Sequence, residues 1–171
     1  MAADFIDTPR LTLRPLSAED VSPLYDIQRD PAAMQFTYVA ASLADCEHRL
    51  RTHEALRSRH GFAPWVVVLR SELRVIGWGG LNIDPFEPGW GVEVSYFLRP
   101  AYWGLGYATE VVRAAIDHGF GDLALPEVAA FAKPENAASI RVLEKCGFAF
   151  VGYEPSLERN HYAIRRDSWA R

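Results

Sequence analysis

Between Leu98 and Glu110 an extended segment stops, a turn holding two glycines follows, and an amphipathic helix starts with no linker in between. Pro100 ends the run Val92-Glu-Val-Ser-Tyr-Phe-Leu98, while Ala108, Val111, Val112, Ala115 and Ile116 fall at i, i+3, i+4, i+7 and i+8, one apolar stripe. Gly104 and Gly106 carry no Cβ, so the backbone can bend sharply and let a ligand approach closely. The first amides of the helix have no partner inside it and lie in the field of its dipole. Such a joint suits an anion, and phosphate above all.

Two other readings share this pattern. A Gly-x-Gly pair also serves ordinary tight strand-to-helix connections. Gly104-Leu-Gly-Tyr-Ala-Thr109 further imitates the dinucleotide fingerprint, with Glu127 downstream as the ribose-binding acid. Against that fingerprint, Thr109 stands where a third glycine belongs. Glu127 opens its extended segment where the acid would close one, and the preceding strands form no βαβ repeat.

The remaining chain supplies a mixed set of elements. Leu11 to Leu16 alternates as a first strand, and Ser17 precedes Asp20 by three, opening a helix that turns Val21, Leu24 and Ile27 inward until Asp30-Pro31 breaks it. A second helix is expected from Ser42 to His60, ended by Gly61, with Leu43, Cys46, Leu50, His53 and Leu56 on or near one stripe. Trp65 to Leu69 and Arg74 to Ile83 read as paired strands, the second loosened by Gly77, Gly79 and Gly80. Asp84 to Gly91 is dense in turn formers. Alternation along the next strand puts Glu93, Ser95 and Phe97 on one face and Val92, Val94, Tyr96 and Leu98 on the other. Gly119 with Phe120, and Gly147 with Phe148, read as helix-ending pairs. Strands at Glu127 to Ala132, Phe148 to Tyr153 and His161 to Arg165, with a helix from Asn136 to Cys146, complete the chain. The fold class is a mixed α/β domain: a mostly antiparallel sheet of about seven strands with helices on both faces.

The length of 171 residues fits one domain, spanning 1–171. Charged residues interrupt every apolar run well before a membrane-spanning length, so no membrane association is expected. The amino terminus lacks a basic start and an apolar stretch, so a cytoplasmic protein is expected. A net charge of −4 without a dense basic run argues against nucleic acid and tolerates a cationic partner. Cys46 and Cys146 read as buried free thiols. His53, His118 and His161 show no metal-ligand spacing, so no metal is expected. A homodimer is compatible with the sequence but is not read from it.

Trp103-Gly-Leu-Gly-Tyr-Ala-Thr-Glu110, followed by Asn136-Ala-Ala-Ser-Ile-Arg-Val-Leu-Glu-Lys-Cys-Gly-Phe148, resembles the acetyl-CoA-binding core of the GNAT acetyltransferases. Thr8 to Leu16 and His161 to Trp169 are similar to the branch that acetylates amino termini of ribosomal proteins, the RimJ/RimL-like enzymes. The resemblance implies a GNAT fold with a splayed central strand pair, and acetyl-CoA as cosubstrate. It places the pyrophosphate on the amides from Trp103 through Gly104, Leu105, Gly106, Tyr107 and Ala108 to Thr109. It also implies a bulged Val94 to Leu98 strand whose freed groups, at Tyr96, Phe97 and Leu98, hold the pantetheine arm, one amide near Phe97 or Leu98 polarising the thioester carbonyl. Asn136 and Ser139 would face the same arm. Ala101 and Leu105 depart from the family pattern, which often has Gln or Arg at the first position and a basic residue at the second; Arg99, Arg113 and Arg141 stand nearby as replacements.

Amine acylation needs a nucleophile stripped of its proton, and an α-amine, with a pKa of about 8, needs far less help than a lysine at about 10.4. Glu93, on a largely apolar segment, is the candidate base, with a sheet-edge ion pair as its structural alternative. Ser139 is a candidate acid for the departing thiolate, with Tyr153 and Tyr162 as other donors. Trp78, Asp84, Phe86 and Trp90 are candidates for the acceptor pocket, the aromatics being equally suited to core packing. The expected activity is acetyl transfer from acetyl-CoA to a primary amine, on a protein amino terminus or a small molecule, by direct attack in a ternary complex. A non-catalytic acyl-CoA-binding module is the alternative.

Overall fold

The computed structural model describes residues 5–169. Within them eight strands form one open sheet: β1 (Ile6–Asp7), β2 (Leu11–Arg14), β3 (Trp65–Leu69), β4 (Arg74–Asn82), β5 (Glu93–Leu98), β6 (Glu127–Ala132), β7 (Ala149–Glu154) and β8 (Arg159–Arg165). Their order is β1-β2-β3-β4-β5-β6-β8-β7, and every neighbouring pair is antiparallel except β5 and β6. The strand beyond the seven expected is Ile6–Asp7, too short to show alternation in the sequence.

Among the described residues five α-helices cover the sheet: α1 (Val21–Gln28), α2 (Leu43–Glu54), α3 (Leu56–His60), α4 (Tyr107–Gly121) and α5 (Ala137–Lys145). On one face Leu24 and Ile27 of α1 and Cys46 and Leu50 of α2 pack on Val66, Trp78 and Phe97. On the other, Val111, Val112, Ala115 and Ile116 of α4 and Leu143 of α5 pack on Leu13, Val67, Ile76, Val94, Leu98 and Val128. The period-two reading of β5 therefore holds, with Phe97 in the first core and Val94, Tyr96 and Leu98 against the second. Ser17 and Asp20 form a reciprocal capping box ahead of α1, and Asp20 also takes two hydrogen bonds of 2.7 Å from Arg14.

Three local expectations are corrected. The stretch from Ser42 to His60 divides at Ala55 into α2 and α3, with Ser42 Oγ accepting from the Asp45 amide and left-handed Gly61 (φ 80°) closing the second helix. Gly119 does not end a helix, because α4 continues to Gly121; a Cβ there would sit 3.2 Å from Leu81 Cδ1 and 3.3 Å from Leu125 Cδ1, so packing explains it. Gly147 behaves as expected: at φ 87° it donates to the Glu144 carbonyl while Phe148 donates to Leu143, both helix-closing bonds being made. The glycines of β4 do not loosen that strand. A Cβ on Gly79 would lie 2.5 Å from Tyr96 Cβ, so glycine lets β5 lie close against β4.

Candidate active site

A cleft of about 1020 Å³ runs from the turn ahead of α4, past the inner edges of β5 and β6, to α2 and the loops that follow α1 and β4. Its volume suits a large ligand and a second, smaller one. The opening arises where β5 and β6 part. Only Glu93 and Ala129 stand opposite each other, joined by the Ala129 amide on the Val92 carbonyl at 2.9 Å, and beyond them β5 has no neighbour on that side. The register of β4 against β5 runs unbroken from Asn82–Glu93 to Gly77–Leu98. The expected bulge on β5 is therefore absent, and divergence from β6 does the splaying instead.

At one end of the cleft the binding surface is main chain. Gly104 (φ 73°) and Gly106 (φ 85°) both adopt a left-handed conformation that costs other residues energy. A Cβ on Gly104 would meet no atom within 4 Å, so the backbone there faces open space. Gly106 is the N-cap of α4 and offers no capping side chain, which leaves the first-turn amides of the helix to an outside partner. Tyr107, Ala108 and Thr109 line the cleft, as do Trp103, Gly104 and Gly106. Leu105 does not; its side chain is exposed, and its carbonyl accepts from Arg10 Nη1 at 2.8 Å. Arg10 also donates through Nε to Glu110 at 2.8 Å and lies over the Tyr107 ring at 4.3 Å, so a residue of the amino-terminal segment braces the turn.

Tyr96, Phe97 and Leu98 line the same half, and Trp103 donates its indole N–H to the Leu98 carbonyl at 2.9 Å. Asn136 caps α5 by accepting from the Ser139 amide at 3.1 Å, which leaves its own NH₂ able to donate. Ser139 Oγ lies 2.9 Å from the Tyr96 hydroxyl. Burial raises the Tyr96 pKa to about 12, so the phenol keeps its proton. Of the nearby arginines, Arg141 lines the cleft, whereas Arg99 is committed to the Val75 and Pro23 carbonyls and Arg113 faces a groove behind α4.

At the parting of the strands stands Glu93. Burial pushes its pKa up to about 7, helped by the nearby Asp84 and Glu87 charges and opposed by Arg159 and the Asn82 amide. Asn82, directly across the ladder, also meets His53 Nδ1 through its Oδ1 at 2.9 Å. Burial lowers the His53 pKa, so the ring is neutral near pH 7; with Nδ1 donating to Asn82, Nε2 keeps its lone pair. Glu93, Asn82 and His53 thus form one polar file along the wall of the cleft. Ser95 Oγ, two residues along the same face of β5, is buried without a partner among the described residues, as is Gln28 Oε1.

At the other end the wall is built from side chains. Trp78, Asp84 and Phe86 line it with His53; Trp78 stacks on Phe97 with ring centres 5.5 Å apart and meets His53 edge-on at 5.1 Å. Trp90 is not part of the wall and packs edge-on against Phe131 at 5.3 Å. Tyr153 and Tyr162 are not brought to the cleft either. Tyr153 is exposed on the outer strand β7, while Tyr162 is buried at 4% exposure against Phe150.

Four contributors escaped the sequence reading: Arg10, Arg49, Asn82 and the pairing of Tyr96 with Ser139. His53 did carry a signal, because it is a polar residue on the apolar stripe of α2.

The profile of the Acetyltransferase (GNAT) domain matches residues 10–149. The chain is 29% identical over 147 residues to the uncharacterized N-acetyltransferase p20 of Bacillus licheniformis, an alignment covering 85% of this chain and 82% of that protein. A crystal structure of an acetyltransferase from Agrobacterium tumefaciens superposes with a TM-score of 0.85 at 26% identity, over 96% of both chains. RimJ of Mycobacterium smegmatis, solved in complex with CoA-disulfide, superposes with a TM-score of 0.76 at 22% identity, covering 94% of this chain and 84% of its own. With two glycines poised beside an uncapped helix and a sheet opened next to them, the chain belongs to the GNAT acetyltransferase family.

Proposed function

We propose that residues 1–171 act as one N-acetyltransferase domain that carries an acetyl group from acetyl-CoA to a primary amine, on a small molecule or a protein amino terminus, by direct attack in a ternary complex. The observation that carries this reading is the position of Glu93, a carboxyl with a pKa of about 7 at the point where the main-chain half of the cleft meets the side-chain half. A base with that pKa is matched to removing a proton from an ammonium near neutral pH.

The residues divide the work as follows. The amides from Gly104 to Thr109 and the dipole of α4 receive the diphosphate of CoA, while the unpaired edge of β5 and the Asn136 NH₂ hold the pantetheine arm. Glu93 takes a proton from the acceptor ammonium, freeing the nitrogen lone pair to attack the thioester carbonyl. A free amide of β5 near Phe97 or Leu98 donates to the carbonyl oxygen as it gains charge. When the carbon–sulfur bond breaks, the nitrogen sheds its second proton to become the amide, and Ser139 passes a proton to the thiolate as it regains one from that nitrogen, leaving CoA thiol, amide and protonated Glu93. In this reading Tyr96 donates to Ser139 Oγ, 2.9 Å away, so that the serine proton points away from the phenol and into the cleft. Most of the rate comes from bringing the two reactants together.

Calorimetry with acetyl-CoA and a thiol-release assay over a panel of amines test the reading together. Micromolar binding and amine-dependent release of CoA are expected. Binding without release for any amine would make the protein a binding module, and absence of binding would remove the cosubstrate.

A further inference from the structure

Five cationic side chains line the cleft: Arg49, Lys133, Arg141, Lys145 and Arg159. Two are answered by carboxylates, Lys133 by Glu158 at 3.5 Å and Arg159 by Glu87 at 3.8 Å. Arg141 and Lys145 belong to α5, the helix that also carries Ser139. Arg49 lies on α2, one turn before His53, and therefore on the acceptor side.

Its setting is unusual for a surface arginine. The guanidinium carbon sits 3.8 Å from the centre of the Tyr38 ring and 4.0 Å from that of Phe86, so aromatic rings pack against it from two different loops. A guanidinium stacked in this way donates hydrogen bonds in its own plane. Among the described residues it makes no ion pair and no hydrogen bond. Asp45, one turn earlier on α2, is engaged elsewhere: it accepts from the Tyr38 hydroxyl at 2.8 Å and from the Ala41 amide at 2.9 Å. Tyr38 therefore has its ring on Arg49 and its hydroxyl on Asp45, which fixes the stack. What results is a planar fork, oriented by two rings and partly withdrawn from water, with its donors unspent. Carboxylates fit such a fork in a two-point manner.

The same half of the cleft also carries the reverse charge. Asp84 and Glu93 line it, and the His53 ring feels Asp84 and Arg49 with opposite effects on its protonation. An acceptor with several cations would have its ammonium drawn to Glu93 and a second cation repelled by Arg49. An acceptor carrying one amine and one carboxylate would match both ends.

We propose that the natural acceptor bears a carboxylate as well as its amine, and that Arg49 binds that carboxylate. This rests on the acetyl-transfer reading above. The test compares acetylation of matched pairs at two spacings, phenylalanine against phenethylamine and 6-aminohexanoate against hexylamine, in wild type and in Arg49→Met and Arg49→Lys. For at least one spacing, kcat/KM is expected to favour the carboxylate member by about tenfold or more. In Arg49→Met that ratio falls to near one through KM, and Arg49→Lys keeps part of it, as a charge without the fork would. A ratio near one in the wild type, with plain amines still acetylated, overturns the proposal and leaves the transferase reading intact; so does a preference unchanged in Arg49→Met. If no amine releases CoA, the transferase reading fails and takes this one with it.

Discussion

The two halves of the cleft are made of different material. On the side proposed for CoA the groups aimed inward are largely backbone: amides around two left-handed glycines, the first turn of α4 and the unpaired edge of β5. On the side proposed for the acceptor they are side chains from separate segments: Tyr38 after α1, Arg49 and His53 on α2, Asn82 on β4, Phe86 in the loop beyond it, and Glu93 on β5. A surface of backbone amides depends on conformation and tolerates changes of side chain. A surface of side chains can be rewritten one residue at a time with the sheet left in place. The first half therefore suits a cosubstrate that does not vary, and the second an acceptor that can.

That contrast can be broken from the side-chain half. Glu93→Gln is expected to lower kcat by about 10²–10³-fold while leaving acetyl-CoA affinity within about twofold, since only the base is lost. In the proposed mechanism the ionised carboxylate is the working form, so kcat/KM should climb with pH and level off above about 7; the glutamine variant should lose that limb. Steady-state rates across pH check both, and an unaltered kcat would show that Glu93 is only a strand residue.

The main-chain half should respond to conformation. In Gly104→Ala the new Cβ meets nothing, so its effect comes from the left-handed backbone alone. Alanine should let the turn relax, and drawing it back should weaken acetyl-CoA by roughly tenfold with kcat nearly unchanged. Titration calorimetry reads this directly; unaltered affinity would mean that the turn does not hold the diphosphate. The smallest effect is expected from a side chain within the main-chain half. Tyr96→Phe removes the hydroxyl that orients Ser139 and should reduce kcat about three- to tenfold, with KM for acetyl-CoA steady. A normal rate in single-turnover experiments would release Tyr96 and Ser139 from the proposed protonation.

The same division explains what the sequence revealed. Backbone features leave local marks: the glycine pair, the stripe of α4 and the Gly147–Phe148 close of α5 can each be read within a dozen residues. The alternation of β5 likewise sorted Phe97 from Val94 and Leu98 between the two cores. Contacts between distant segments leave no such mark. Nothing near Arg49 announces Tyr38 and Phe86, and the meeting of Asn82 with His53 depends on how α2 crosses the sheet. Tyr153 and Tyr162 were singled out for their chemistry, but strand pairing placed them away from the cleft. Gly119 misled because glycine serves close packing as readily as a helix end.

Arg10 carries a consequence for the order in which the molecule assembles. Through Leu105 and Glu110 it ties the tenth residue to a turn almost a hundred positions later, and Thr8 adds a hydroxyl contact of 2.5 Å to the same glutamate. The turn thus acquires its brace only after β1 and β2 have joined the sheet beside β3, β4 and β5, a late event in a chain whose contacts are this far apart. Fraying of the amino-terminal strand would slacken the mouth of the cleft without disturbing a single glycine.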